Sequence, residues 1–241
     1  MGQSFFIWKG VDCRAMGIIT RGPAPIVRPE ERVKHVEIPG VAGDYTETEG
    51  EDIYNSYIQT VTMTVRDGYN VRRVYDWLRG SGYVTFSGEP DRRQPARIIG
   101  AVTLNRISRN LDAWAGEVQF YCQPLKELLR PKDIVVAAYS APVEVYNAGD
   151  VKCFPVYTVT ASAATVKVAA GDSELTVTGC TSGQVLRIDT KIMEVWTENG
   201  GAKVLLTADS SGAFPALAAG DNTVTLTGAS AVRIEKRERY L

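Results

Sequence analysis

The chain has 241 residues, of which 44% are hydrophobic and 23% are charged, and its formal net charge is −1. This length suits one large or two medium domains, and the apolar content supplies a buried core, which excludes an intrinsically disordered protein. Nonspecific binding to nucleic acids or anionic membranes depends on an excess of lysine and arginine, which this chain lacks. We therefore expect no nucleic-acid partner and no membrane partner.

The first residues and the cysteines indicate the cellular compartment. The opening MGQSFFIWKGVDC has a short apolar run, soon interrupted by Lys9 and Asp12 and not preceded by basic residues. This pattern predicts neither a signal peptide nor a transmembrane helix, so we expect synthesis in a cytoplasm. The cysteines are scattered without a CxxC pair, which predicts buried free thiols and not a zinc site or a disulfide framework. They are Cys13, Cys122, Cys153 and Cys180.

The first half of the chain predicts an antiparallel sheet with one helix. In YIQTVTMTV (57–65) apolar side chains alternate with threonines, and GEVQFYC (116–122) alternates in the same way. Alternation with period two is typical of strands with one buried face. Between these strands, apolar residues recur at the i, i+3, i+4, i+7 spacing of a helix over roughly 70–80, which Asn70 can cap. They are Val71, Val74, Tyr75 and Leu78.

The amino-acid composition changes at residues 130–142, where Pro131 and Pro142 bracket KDIVVAAYSA. Beyond this segment the chain is rich in Thr, Ala, Val and Gly. Short strand-like runs there are separated by Gly, Asn, Asp and Ser turns at intervals of about ten residues, which is typical of a β-sandwich. We therefore predict two domains, residues 1–138 and residues 139–241.

The sequence offers little for catalysis. His35 is the only histidine, so a catalytic triad or a multi-histidine metal site would have to be built around it, and we expect a surface histidine. The acidic stretch GDYTETEGED (43–52) does not have the spacing of an EF-hand loop and is interpreted as a solvated excursion or an interaction arm. Phosphate-binding and nucleophile-elbow motifs are absent from the sequence. We therefore expect no catalytic residue, no metal site and no cofactor, and predict that the protein is not an enzyme.

Motifs along nearly the whole chain resemble the siphophage distal tail protein family. The landmarks of its N-terminal half occur here in order, as FFIWKGVDCRAMGIIT, IPGVAGDY, WLRGSG, YVTFSGEPDRRQPAR and GEVQFYCQP. The segments similar to its C-terminal module are VEVYNAGDVKCFPVYTV, QVLRIDTKIMEVW and FPALAAGDNTVTLTG. Each motif is weak by itself. Their order and spacing together carry the resemblance.

The resemblance implies a fold and a function. The implied fold is mainly β, with an N-terminal β-sandwich that carries one helix and a projecting arm, followed by a galectin-like β-sandwich. The implied function is that of a structural virion protein at the phage tail tip or baseplate. There it forms a hexameric ring between the tail tube protein and the tail-tip or receptor-binding proteins, and it is assembled in the host bacterial cytoplasm.

Acidic and basic residues are separated from each other within the N-terminal half, although the net charge of the whole chain is only −1. Acidic residues concentrate at 44–52, whereas seven arginines lie elsewhere in the same domain: Arg66, Arg72, Arg73, Arg79, Arg92, Arg93 and Arg97. A closed ring needs an interface between two different patches, and complementary charges suit such an interface. As candidate inter-subunit contacts we select apolar residues of the arm for affinity and charged residues for register: Ile38, Val41, Tyr45, Glu47, Glu49, Arg72 and Arg73.

Two alternative functions remain open. A carbohydrate-binding module for host-surface recognition could stack a sugar ring on Trp196, although a tryptophan is more often a core residue. A glycoside hydrolase would need two carboxylates that face each other across a cleft. Glu194 and Glu198 flank Trp196 in the sequence, but nothing in the sequence indicates that they converge.

Overall fold

The structure is a computed structural model, and it describes residues 4–48 and 50–241. The chain divides into two compact units, the first extending to Leu129 and the second from Arg130 to Tyr240. The class is mainly β, as the resemblance implied, with a single α-helix among the described residues. Within the same residues, no helix is long and apolar enough to span a membrane.

The N-terminal unit is built around one antiparallel sheet. Its strands follow the order β2-β1-β7-β8-β9-β6-β3, and β10 pairs with β8. A separate two-stranded sheet is formed by β4 and β5. The elements are β1 Phe6–Trp8, β2 Val11–Asp12, β3 Ile18–Thr20, β4 Val33–Glu37, β5 Asp44–Thr48, β6 Tyr57–Val65, α1 Val71–Trp77, β7 Ser81–Phe86, β8 Arg92–Arg106, β9 Trp114–Cys122 and β10 Lys126–Leu128, with a 3-10 turn at Cys13–Met16.

The alternating patterns of β6 and β9 form the core as predicted. The two strands pair antiparallel with Val61 opposite Val118, and both of these side chains are buried. On β9, Phe120 is completely buried and its ring contacts three other aromatic rings at centroid distances of 5.4–5.7 Å, those of Phe6, Trp8 and Phe86. The next residue, Tyr121, lies on the opposite face and is exposed. Period-two alternation therefore separates core from surface on this strand.

Helix α1 begins as the sequence predicts but ends earlier. The Asn70 side chain accepts hydrogen bonds from the backbone N–H groups of Arg72 (2.9 Å) and Arg73 (3.4 Å), which caps the helix. Val74 and Leu78 are buried in the core of the N-terminal unit. The helix ends at Trp77 and not near residue 80, because Leu78 already leaves helical geometry with ψ at 63°. The predicted range of 70–80 was therefore too long at its C-terminal end.

The C-terminal unit is a β-sandwich, as the spacing of its turns predicted. One sheet has the order β11-β21-β13-β16-β17-β18 and the other β12-β20-β14-β15-β19, and a single hydrophobic core lies between them. The elements are β11 Ile134–Val136, β12 Val143–Asn147, β13 Val156–Ala161, β14 Thr165–Ala170, β15 Ser173–Thr178, β16 Val185–Asp189, β17 Glu194–Asn199, β18 Ala202–Leu205, β19 Ser210–Gly212, β20 Gly220–Thr227, β21 Ala229–Glu235 and β22 Arg239–Tyr240, with a 3-10 turn at Thr207–Asp209.

The four cysteines are buried thiols, as predicted from their scatter. Removal from water disfavours the charged thiolate, so burial raises the pKa of Cys122 to about 12 and that of Cys153 to about 12. A thiol with so high a pKa is a poor nucleophile and a poor metal ligand at neutral pH. These cysteines are therefore part of the packing of each unit.

One buried carboxylate in the C-terminal unit is fully hydrogen-bonded. Glu238 accepts hydrogen bonds from the Ala148 backbone N–H (3.0 Å), the Tyr240 hydroxyl (3.0 Å) and the Lys236 ammonium (2.5 Å). Burial has the largest individual effect on its pKa and raises it. The three donors and the positive charge of Lys236 together outweigh burial, so the pKa of Glu238 lies below its ordinary value. Its charged form therefore contributes to folding.

Candidate interaction surfaces

A hairpin formed by β4 and β5, which we call the arm (residues 33–48), contains most of the candidate contact residues. Its strands pair from Val33 opposite Thr48 to Glu37 opposite Asp44. At the start of the connection the Val41 N–H donates to the Ile38 carbonyl at 3.2 Å, across Pro39 and Gly40. Gly40 has φ at 84°, a left-handed conformation that suits the third position of a type II turn with proline at the second.

The arm has one apolar and one polar face. Val36 lies directly opposite Tyr45, and Ile38 follows Val36 at the same parity, so these three side chains share a face. All three are exposed, Ile38 by 48% and Tyr45 by 61%. On the other face the His35 Nδ1 lies 2.9 Å from the Asp44 carboxylate. The predicted surface position of His35 is confirmed, and the acidic stretch forms part of an arm.

The arm has little internal support. A two-stranded sheet without a packed face is marginally stable in water. At its base, the Arg32 N–H donates to the Ile53 carbonyl (2.9 Å) and the Asn55 N–H donates to the Glu30 carbonyl (2.8 Å). Among the described residues no further strand pairs with β4 or β5, so the outer edges of the arm remain open. Exposed edges and exposed apolar side chains are the usual features of a surface that a partner covers.

The remaining candidate contacts occupy different positions. Val41 lies in the connection between the strands with 62% exposure, and Glu47 lies on β5 on the same face as Tyr45, opposite Lys34. Arg72 and Arg73 are exposed in the first turn of α1, a different element. Glu49 lies outside the described residues. Sequence analysis missed Val36, whose position opposite Tyr45 follows only from the register of the hairpin.

The arginines of the N-terminal unit differ in how they are paired. Arg92 binds Glu89 at 2.9 Å, and Arg93 lies 3.5 Å from Glu127, so these two neutralise acids of their own unit. Within the described part of the chain, Arg72 and Arg73 form no ion pair, and neither does Glu47 on the arm. Unpaired charges of opposite sign therefore occur on the helix and on the arm.

Trp196 is not a core residue, contrary to the more frequent role of tryptophan. On β17 its neighbours Val195 and Thr197 are buried, so Trp196 points to the outer face of the six-stranded sheet. There the Lys203 ammonium lies 4.4 Å from the ring centroid and the Arg187 guanidinium lies 5.8 Å from it. Both are cation–π contacts, which explain how a large ring is kept at the surface.

The geometry of β17 disfavours a glycosidase. Glu194 and Glu198 point to the same face but are four residues apart, which corresponds to about 13 Å along a strand. Catalytic carboxylates of glycosidases are about 5 to 9.5 Å apart. Glu194 is also paired with Lys203 at 2.5 Å. In the part of the chain that the structure describes, no three His, Cys, Asp or Glu side chains are grouped to hold a metal ion.

Comparison with known proteins relates this mainly β fold to phage tail components. Residues 148–240 match the family model described as siphovirus-type tail component, C-terminal domain. A solved structure, that of the SPP1 Dit protein, matches with a TM-score of 0.75 at 18% identity and covers 100% of both chains. It is described as a paradigm of the hub adsorption apparatus in phages that infect Gram-positive hosts. No curated protein sequence matches the chain.

Two structures of the phage P2 baseplate in its activated conformation share the fold at greater distance. The structure with Ca has a TM-score of 0.55 at 8% identity, covering 100% of this chain and 99% of that one. The structure with Sr has a TM-score of 0.54 at 8% identity, covering 97% of each chain. The resemblance of this chain to siphophage distal tail proteins is thereby confirmed, because residues 148–240 match that family model and the whole chain shares the fold of the SPP1 Dit structure.

Proposed function

We propose that the protein is a structural adapter that forms a closed hexameric ring between the tail tube protein and the tail-tip or receptor-binding proteins. The observation that carries the proposal is the arm, whose exposed apolar face and open edges lack a partner within the described chain. The shared fold with a protein described as a hub of an adsorption apparatus supports the same assignment. The ring-forming part is assigned to residues 1–138, which include the arm and α1.

The chemistry of the arm suits a ring interface. A ring closes through a heterologous contact, in which one patch of a subunit meets a different patch of the next subunit. Apolar contacts through Ile38, Val41 and Tyr45 supply affinity, since burial of apolar surface is the main favourable contribution to association. Ion pairs at the rim contribute about 0 to 1 kcal/mol each and set the register. Glu47 on the arm and Arg72 and Arg73 on the neighbouring subunit provide such pairs.

The biological setting follows from this role. The protein acts in the virion, at the tail tip, and is assembled into the tail in the host bacterial cytoplasm. Its contribution is mechanical and not catalytic: a symmetric ring with a central opening, whose C-terminal sandwiches orient the receptor-binding proteins. Its N-terminal units contact one another, and the tail tube protein binds the ring.

The first test is the mass of the full-length protein in solution. Light scattering or native mass spectrometry at low and moderate salt is expected to show a species of six subunits, and higher salt is expected to weaken it because rim ion pairs are screened. A full-length protein that stays monomeric at high concentration would refute the ring.

Variants of the arm make the test specific. Ile38→Asp places a charge in the apolar face and is expected to yield monomers. The matched control, Ile192→Asp, changes a similarly exposed isoleucine of the C-terminal unit, which has 55% exposure, and is expected to leave the mass unchanged. Glu47→Arg is expected to weaken assembly, and the triple variant with Arg72→Glu and Arg73→Glu to restore it. Equal effects of the two isoleucine variants, or no rescue by charge exchange, would contradict the interface.

A further inference from the structure

The outer face of the six-stranded sheet in the C-terminal unit contains a depression. Thr158 on β13 lies between Arg187 on β16 and Arg233 on β21, its direct cross-strand neighbours. A short side chain between two long ones leaves a hollow whose floor is Thr158 and Val185. The hollow has a volume of about 440 Å³, within the range of about 300 to 1,000 Å³ of small-molecule sites.

The walls of the depression alternate hydrogen-bond donors and acceptors. Arg187 and Arg233 supply only donors, while Glu198 and Glu235 supply only acceptors when ionised. The Nε atom of Arg187 is buried and has no hydrogen-bond partner within the described chain, although its guanidinium lies 3.5 Å from Glu235. This Nε is covered, so a ligand in the hollow would meet the other guanidinium nitrogens of Arg187, whose side chain is 38% exposed. The site thus has the groups to recognise a polar ligand.

The charge balance selects the class of ligand. Two arginines and two glutamates line the hollow, and the Arg233 guanidinium already donates a hydrogen bond to the Asp133 carboxylate (3.0 Å), so the site carries no excess positive charge. Phosphate or carboxylate groups would meet the glutamates as well as the arginines and gain little. A hydroxyl group both donates and accepts, so neighbouring hydroxyls can bind a carboxylate and a guanidinium at the same time. The arginine Cα positions lie two strand spacings apart, about 10 Å, which leaves room for one sugar ring.

We propose that this depression, centred on Thr158 and flanked by Arg187 and Arg233, binds a neutral saccharide. This inference does not depend on the proposed hexameric assembly. It places carbohydrate recognition away from the indole of Trp196, because the Lys203 ammonium already lies over that indole. Trp196 instead contacts Arg187 and holds the guanidinium beside the hollow.

Saturation-transfer NMR on the full-length protein tests the proposal, because it detects weak ligands of large assemblies. The probes are glucose, galactose and N-acetylglucosamine, with glycerol 3-phosphate as the anionic comparison. At least one neutral sugar is expected to show transfer and the phosphate is not. The Thr158 side chain lies in the floor of the hollow, so Thr158→Gln places a longer side chain in it. Arg187→Gln removes the guanidinium with its hydrogen-bond donors. Each is expected to weaken binding about tenfold or more, with an unchanged melting temperature.

The matched control is Thr176→Gln. Thr176 is also half-buried in mid-strand, on the outer face of the other sheet between Lys167 and Ser211. This variant is expected to bind sugar as the natural protein does. The proposal is overturned if no neutral sugar shows transfer, if only glycerol 3-phosphate does, or if sugar binding persists in folded Thr158→Gln.

Discussion

Replacement of Phe120 by alanine tests the packing of the N-terminal core. The side chain is fully buried on β9, and its ring contacts those of Phe6, Trp8 and Phe86 at centroid distances of 5.5, 5.4 and 5.7 Å. Removal of the ring takes away its hydrophobic transfer energy and leaves a cavity, because the paired strands β1 and β7 hold the surrounding rings in place.

The expected loss in the free energy of unfolding is about 3 to 5 kcal/mol, the usual cost of Phe→Ala in a core. For a unit of this size the urea dependence is about 2 kcal/mol per molar, so the midpoint of its unfolding falls by about 2 M. Tryptophan fluorescence during urea titration reports this transition, because Trp8 lies in the same cluster.

The matched control is Tyr121→Ala, the next residue on the same strand. Its side chain is 40% exposed on the opposite face, so its loss is expected to change the free energy of unfolding by less than about 1 kcal/mol. Equal midpoints for the two variants would refute the assignment of the buried face of β9, and with it the register of β6 and β9.

Four further predictions concern local chemistry and domain organisation. Alkylation of Cys122, followed by mass spectrometry, is expected to be about a thousandfold slower in the native protein than in urea, since its raised pKa leaves little thiolate; comparable rates would contradict its burial. Asn70→Ala is expected to cost about 1 kcal/mol in thermal unfolding through loss of the helix cap; an unchanged stability would argue against the cap. The lowered pKa of Glu238 stabilises the fold above the ordinary glutamate pKa, and this stabilisation is lost as pH falls through the folded value, so Glu238→Gln is expected to flatten the stability profile below about pH 4; an unaltered profile would exclude that role. Mild proteolysis is expected to cut first within residues 130–142, and first fragments divided near residue 70 or 200 would contradict the two-domain prediction.

Much of the fold could be predicted from local patterns. The alternation in β6 and β9 predicted which side chains are buried, because successive side chains on a strand point to opposite faces whatever lies around them. The scattered cysteines predicted buried thiols, and the regular spacing of turns predicted the C-terminal sandwich. The end of α1 was less predictable, because Leu78 satisfies the apolar spacing while its backbone has already left the helix.

The candidate surfaces were only partly predictable. The acidic stretch indicated an arm, but the apolar face of that arm depends on Val36 lying opposite Tyr45, which only the hairpin register decides. The sequence left open whether Trp196 is a core or a surface residue, because a single aromatic residue does not reveal which face of its strand is buried. The neighbours that stabilise it at the surface, Arg187 and Lys203, belong to adjacent strands.

The sequence by itself determined the mainly β class, the buried faces of the long strands and the capped start of α1, since each depends on residues close together in the chain. Tertiary structure decided which strands are neighbours. Thr158, Arg187 and Arg233 are far apart in sequence, and only the strand order β21-β13-β16 places the threonine between the two arginines. Strand pairing joins residues that are far apart in the sequence, and it depends on the burial of whole sheets. A depression on a sheet surface therefore has no local sequence pattern.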